Sequence, residues 1–440
     1  LSLRSPQAVV VTGRRNYGVG MTSIAEVFGP FALMARLFAR FWPQLLLIGA
    51  CGAIAHDLLM RAAVWIGMQH PLGGMVTLSL VVLAKLVVIV LMFMVLRPGL
   101  PALEALRQQP ATAPVETKAP MAERRLLAVT AAALLPFFAY YAAWGFLGDT
   151  VREYSRSALA AVAFGEKANF FDILGSRGVL VSIAFCWLLR WGAKRMSKRS
   201  EAPFWRLLIV AADASWIFIG LYGLSVWKDQ VITWLGAGKL LSMNGFAFTG
   251  IAYAAETFVP VELRKPDWNS EATGLFFYAL LPVIWLVMAA IINGYELSSA
   301  TQRARPASAK PRRARTLRKW VADFLDHFVS DYRSRYAPIW TCLKLTLGSG
   351  LAALFAFIVA YNAISWLGAW AWYAATRTLD VADFANWRLV FNALSLFIGS
   401  PSDLNGGIVL DSLRITLLAA MLEHAVSRQA DKAEINYAST

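Results

Sequence analysis

Eight stretches of apolar residues, each near the ~20 residues of helix that cross a hydrocarbon core of ~30 Å, constrain this chain more than any other feature. They fall at about 42–66, 74–96, 126–147, 178–193, 205–227, 273–292, 339–366 and 408–426. Within them the apolar residues run together instead of alternating with polar ones at helical period, so lipid is their expected solvent. With 58% hydrophobic residues, the expected fold class is all-α. It is a polytopic integral membrane helical bundle of about eight transmembrane helices in four hairpins, with interfacial or re-entrant elements between them.

Charge then orients the spans. The formal net charge is +15, and the basic residues collect in alternate connections, as expected when they keep one end of each helix in the cytoplasm. Arg97, Arg107, Lys118, Arg124 and Arg125 lie between the second and third spans; Lys194, Arg195, Lys198, Arg199 and Arg206 lie between the fourth and fifth. The third cluster is a run without acids: Arg303, Arg305, Lys310, Arg312, Arg313, Arg315, Arg318 and Lys319. It is the expected contact for anionic lipid head groups. Topology accounts for the charge excess, which leaves no call for nucleic acid as a partner. Both termini are expected in the cytoplasm, and the basic-in pattern fits a bacterial inner membrane.

These signals divide the chain into a 1–41 cytoplasmic segment, a transmembrane hairpin at 42–97 and a proline-rich flexible linker at 98–124. Helices three to six follow at 125–296, then a basic linker with an amphipathic helix at 297–337, helices seven and eight at 338–427, and a 428–440 tail. Surface helices are expected over 24–40 and around 320–328. Pro43 is expected in the first turn of the first span, where its missing N–H loses nothing. Residues 231–257, interrupted by Gly236, Gly238, Gly245 and Gly250, and residues 383–400 read as interfacial or re-entrant. Met21 is the expected start, with residues 1–20 disordered or outside the working protein, and no removable secretory signal is recognised.

An ionisable group inside hydrocarbon costs ~2.5–3.5 kcal/mol or more and usually faces the bundle interior. Lys85 and Asp213 sit at depths that would let them meet, as a coupling site for protons or an ionic solute, or as a structural ion pair. Asp57 and Arg61, four residues apart, can satisfy each other on one helical face. His56 beside them is a candidate proton relay, because small environmental shifts change its charge. Asp411 with Arg414, and Glu423 with His424, read as intrahelical pairing and snorkelling.

Chemical templates are otherwise lacking. The four histidines, His56, His70, His327 and His424, lie in separate segments without ligand spacing, and Cys51, Cys186 and Cys342 read as packing residues. No phosphate loop or nucleophile elbow occurs; Gly348, Ser349 and Gly350 read as small residues for close helix packing. No metal, cofactor or catalytic residue is assigned. Among the 17 tryptophans, Trp144, Trp227, Trp366, Trp370 and Trp372 read as an outer aromatic belt, and Trp42, Trp191, Trp205 and Trp340 as an inner one. The leading functional expectation is a transporter or permease-like protein for a small or amphipathic solute. The alternatives are a membrane scaffold recruiting partners through its basic run, and, ranked last, an enzyme on lipid-linked substrates.

Overall fold

The structure, a computed structural model, describes residues 24–108, 126, 129–131, 133–134, 136–138, 140–141, 146–161, 176–197, 203–237, 268–303, 350–378, 384–399 and 407–438. The described residues are almost wholly helical and include no strand. The helices are α1 (Ile24–Gln69), α2 (Pro71–Leu96), α3 (Pro101–Gln108), α4 (Phe146–Ala161), α5 (Ser176–Ser197), α6 (Pro203–Ala237), α7 (Trp268–Arg303), α8 (Leu351–Thr378), α9 (Phe384–Ile398) and α10 (Ile408–Ala438). Described residues between 126 and 141 are helical as well.

Five of these helices are long and apolar enough to cross a membrane, over Val27–Gln69, Pro71–Gly99, Phe204–Leu221, Gly274–Asn293 and Leu351–Thr378. That is compatible with an integral membrane protein. The expected spans at 178–193 and 408–426 are helices too, but charges dilute them: Arg190 in α5, and Asp411, Arg414 and Glu423 in α10. The charges of α10 have protein around them. It packs against α1, α2, α3, α7, α8 and α9, and its residues Ile415–Leu422 are buried without a break.

Three boundaries differ from expectation for local reasons. The separate surface helix at 24–40 and the span opening at Trp42 are one continuous helix, so Pro43, like Pro30, lies inside α1 instead of in a first turn. Each proline leaves a carbonyl one turn earlier without its intrahelical donor, a defect that membrane helices tolerate when neighbours re-satisfy the freed group. Where α1 ends, His70 takes an extended conformation (φ −140°, ψ 100°) and Pro71 starts α2. Proline disfavours helix in the residue before it while suiting a first helical position itself. The connection is therefore one residue long, shorter than the 67–73 gap expected.

In the seventh span the described helix runs past its expected end. Gly350 has φ +102°, a left-handed conformation that favours glycine, and α8 starts at the next residue and runs to Thr378, 12 residues beyond the expected end at Trp366. Residues 339–349, with Gly348 and Ser349, lie outside the described residues. Trp366, Trp370 and Trp372 thus stand within the helix and not at its end. Trp372 is buried and donates its indole N–H to the Gly399 carbonyl at 2.5 Å. The segment at 383–400 contains the 15-residue helix α9, packed on α8 and α10. At 231–257, α6 continues through Gly236 to Ala237; the rest of that segment, the 320–328 helix and residues 304–319 lie outside the described residues.

Tight backbone approaches set the packing at two places. A Cβ on Gly74 would lie 2.7 Å from Gly67 Cα, 2.8 Å from the Tyr154 hydroxyl and 3.2 Å from the Ala63 carbonyl oxygen. Glycines 67 and 74 therefore make the slot where α1, α2 and the buried Tyr154 of α4 meet, and that burial pushes the Tyr154 phenol above its ordinary pKa. Gly407 faces backbone atoms of Phe397, Ile398 and Gly399 directly, which closes the turn from α9 into α10.

At the other end of the bundle a carboxylate from α10 organises α3. Leu100, which precedes that helix, has no side-chain acceptor for the first-turn N–H groups. Glu423, 5% exposed, supplies both acceptors instead, taking hydrogen bonds from the Ala102 and Leu103 backbone N–H groups, the latter at 3.1 Å. Glu423 is thus an interhelical cap, a role its spacing from His424 did not suggest. Beside it, buried Arg97 points its guanidinium at the Ile292 carbonyl of α7, 3.5 Å away.

Candidate functional site

A polar layer crosses the bundle about midway along α2 and α8. Lys85 of α2, partly buried, has its ammonium 5.9 Å from the Tyr141 ring centroid, facing the Tyr141 side chain. Tyr140 and Tyr141, each 5% exposed, pack their rings 6.2 Å apart, and Tyr140 meets Trp285 of α7 edge-on at 5.1 Å. From the far side come Tyr361 and Ser365 of α8 and Asp411 and Arg414 of α10. Arg414 donates Nη1 to Asp411 Oδ1 at 3.1 Å and Nη2 to Ser365 Oγ at 3.0 Å, while its guanidinium carbon stands 5.7 Å from the Tyr361 ring centroid. The two halves are within electrostatic reach: Lys85 with Asp411, and Tyr140 with both Tyr361 and Arg414.

The rim of this layer is formed by α1 and α4. His56 Nε2 is 3.8 Å from Glu153 Oε2, beyond hydrogen-bond distance but close enough for charge pairing when the imidazole is protonated. Glu153 also acts electrostatically on Lys85. Asp149 is bonded to Arg152 on the same face of α4. Asp57 and Arg61 do pair, 2.9 Å apart, but on a face of α1 where their side chains are 59% and 77% exposed, away from the layer.

The expected meeting of Lys85 with Asp213 does not occur. Asp213 Oδ1 is 2.6 Å from Arg190 Nε of α5 and accepts the Trp216 indole N–H at 3.1 Å. The reason is rotational. Ser215 faces α2, with its hydroxyl 2.8 Å from that of Ser79, and a residue two positions earlier is turned by about 200° around the helix. Asp213 therefore faces α5, and Lys85 turns to Tyr141. The Asp411–Arg414 pair was readable from its spacing. The tyrosines and Ser365 were not; Tyr140, Tyr141 and Tyr361 lie inside apolar stretches, near enough to the expected outer ends to read as part of the aromatic belt.

The layer sets two cations and three tyrosine hydroxyls beside a single carboxylate, Asp411. Among the described residues no group of three or more His, Cys, Asp or Glu side chains could hold a metal ion. Of the basic run, Arg303 is the last residue of α7, and the other seven lie outside the described residues. No family model, curated protein or solved structure matches this chain.

Proposed function

We propose that this is a polytopic transporter or permease-like protein for a small or amphipathic solute, resident in a bacterial inner membrane. In this reading it has eight spans, both termini in the cytoplasm and the 303–319 basic run against anionic head groups. The observation that carries the transport reading is the polar layer: two cations, one carboxylate, three tyrosines and a serine drawn from four separate helical segments, midway along the apolar α2 and α8 and at the start of α10. Polar groups at such depth are expensive in lipid and mark solute or ion paths in membrane bundles. A purely structural ion pair would need only Asp411 and Arg414. The cluster continues past that pair to Lys85, which has no carboxylate of its own at bonding distance among the described residues. The test is flux in reconstituted proteoliposomes, screened against small carboxylates, amines and neutral aromatics. Lys85→Ala abolishes the flux found for the unaltered protein while insertion is retained; undiminished flux refutes the site.

A further inference from the structure

We propose that the Lys85–Tyr141–Arg414 cluster binds the anionic group of its ligand, a carboxylate or a phosphate carried on an apolar or aromatic body. The inference rests on the transport reading of the same layer and adds the charge class of what enters it.

The charge tally favours an anion. Asp411 is engaged by Arg414 at 3.1 Å, so within the polar layer Lys85 is the one cation with no carboxylate at bonding distance among the described residues. The next negative groups belong to the rim on α4: Glu153, which acts on Lys85 from a distance, stands 3.8 Å from His56, and Asp149 is paired with Arg152. An ammonium has three donors, and the Tyr141 side chain faces it on one side. A cationic solute would meet the Lys85 ammonium with no carboxylate at bonding distance to offset it, and a neutral one would leave that charge in a medium of low dielectric. An anionic oxygen group at Lys85 pairs the one open charge and meets the hydroxyls of Tyr140, Tyr141 and Tyr361 as further donors, with the Asp411-paired Arg414 on the far side of the layer. The Tyr140, Tyr361 and Trp285 rings then provide the wall for its apolar body.

Trp285, 5.1 Å from Tyr140, is the reporter for the test. The full chain is placed in nanodiscs of phosphatidylcholine alone, and tryptophan fluorescence is followed during titration with benzoate, phenyl phosphate, benzylamine and benzyl alcohol. Parallel discs contain phosphatidylglycerol. Benzoate or phenyl phosphate gives a saturable change that benzylamine and benzyl alcohol do not. Lys85→Met and Arg414→Met each weaken it by about tenfold or more, the scale of losing one charged hydrogen-bond partner. Lys85→Arg keeps binding, and Asp411→Asn, which releases Arg414 from its internal partner, tightens it. If the natural source of the anion is a lipid head group, phosphatidylglycerol itself changes the signal and competes with benzoate; a free solute leaves the two disc types alike.

Absence of a saturable response to benzoate, phenyl phosphate and phosphatidylglycerol overturns the inference. Equal affinities in the wild type and both methionine variants overturn it too, as does weakening by Asp411→Asn or a preference for benzylamine. Flux separates this claim from the broader one. Anion binding without benzoate or phenyl phosphate flux in proteoliposomes retains the anion site and removes the transporter; amine or alcohol flux without anion binding does the reverse.

Discussion

Glu423 offers the most direct test of how the bundle holds its connections. Its carboxylate accepts the Ala102 and Leu103 N–H groups of α3 from a helix more than three hundred residues away in sequence. Those two donors belong to a first helical turn, where no intrahelical acceptor exists, and Leu100 and Pro101 supply no side-chain acceptor. A hydrogen bond to a charged group contributes about 1.5–3 kcal/mol, and an anion at a helix N-terminus adds about 0.3–1 kcal/mol. Glu423→Gln keeps one carbonyl acceptor but loses the charge and the second bond, a loss of about 2 kcal/mol on the same scale. Glu423→Ala loses both bonds and leaves two donors without acceptors, about 3–4 kcal/mol after the relief of burying a charge is discounted. If the loss falls on local opening of α3, amide exchange there accelerates by about thirtyfold in the first variant and by a few hundredfold in the second, at ~1.4 kcal/mol per tenfold. Hydrogen–deuterium exchange with mass spectrometry on peptides covering 101–108, with peptides from α8 as the internal reference, reads this directly. Unchanged exchange over 101–108 in Glu423→Ala, with the protein folded, refutes the capping argument.

Three further outcomes are expected, two from the packing and one from the basic run. Arg190→Met leaves the Asp213 carboxylate, only 23% exposed, without its cation; it lowers the midpoint of thermal unfolding in detergent by the equivalent of about 2–3 kcal/mol, and the Arg190→Met/Asp213→Leu double variant regains most of it. Gly74→Ala forces a Cβ to 2.7 Å from the Gly67 backbone, so α1 and α2 must separate at a cost of about 1–3 kcal/mol, visible as faster exchange in peptides across residues 63–74. Replacing the seven basic residues at 305–319 by Gln weakens association of the detergent-purified protein with phosphatidylglycerol vesicles, each charge near the surface contributing ~1 kcal/mol. Association with unchanged salt dependence would reduce that run to a topology signal.

The apolar stretches were legible because a membrane helix must be continuously apolar for about twenty residues, and such a run carries its own length and type. α2 begins and ends close to where composition alone put it, whereas α6 and α7 contain the expected 205–227 and 273–292 and run about ten residues past their ends. Boundaries were less legible where a single residue overrides composition. Pro43 inside α1 and the left-handed Gly350 before α8 move helix ends without changing the hydropathy around them. The Trp372 indole bond to the Gly399 carbonyl has the same character: tryptophan belongs to the belt by composition and to a buried contact by position.

The amino-acid sequence by itself determined that this chain forms long apolar helices, that a handful of charges must lie among them, and that Asp57 with Arg61 and Asp411 with Arg414 can pair one turn apart. These are local facts, set by helical spacing and by the intolerance of hydrocarbon for polar groups. Only the tertiary structure decided which charges meet across helices. Two residues of spacing turn Asp213 toward Arg190 and leave Lys85 to Tyr141, and one carboxylate of α10 crosses the bundle to cap α3. Such choices depend on the rotation of each helix about its axis, which packing against several neighbours sets at once and no local pattern encodes.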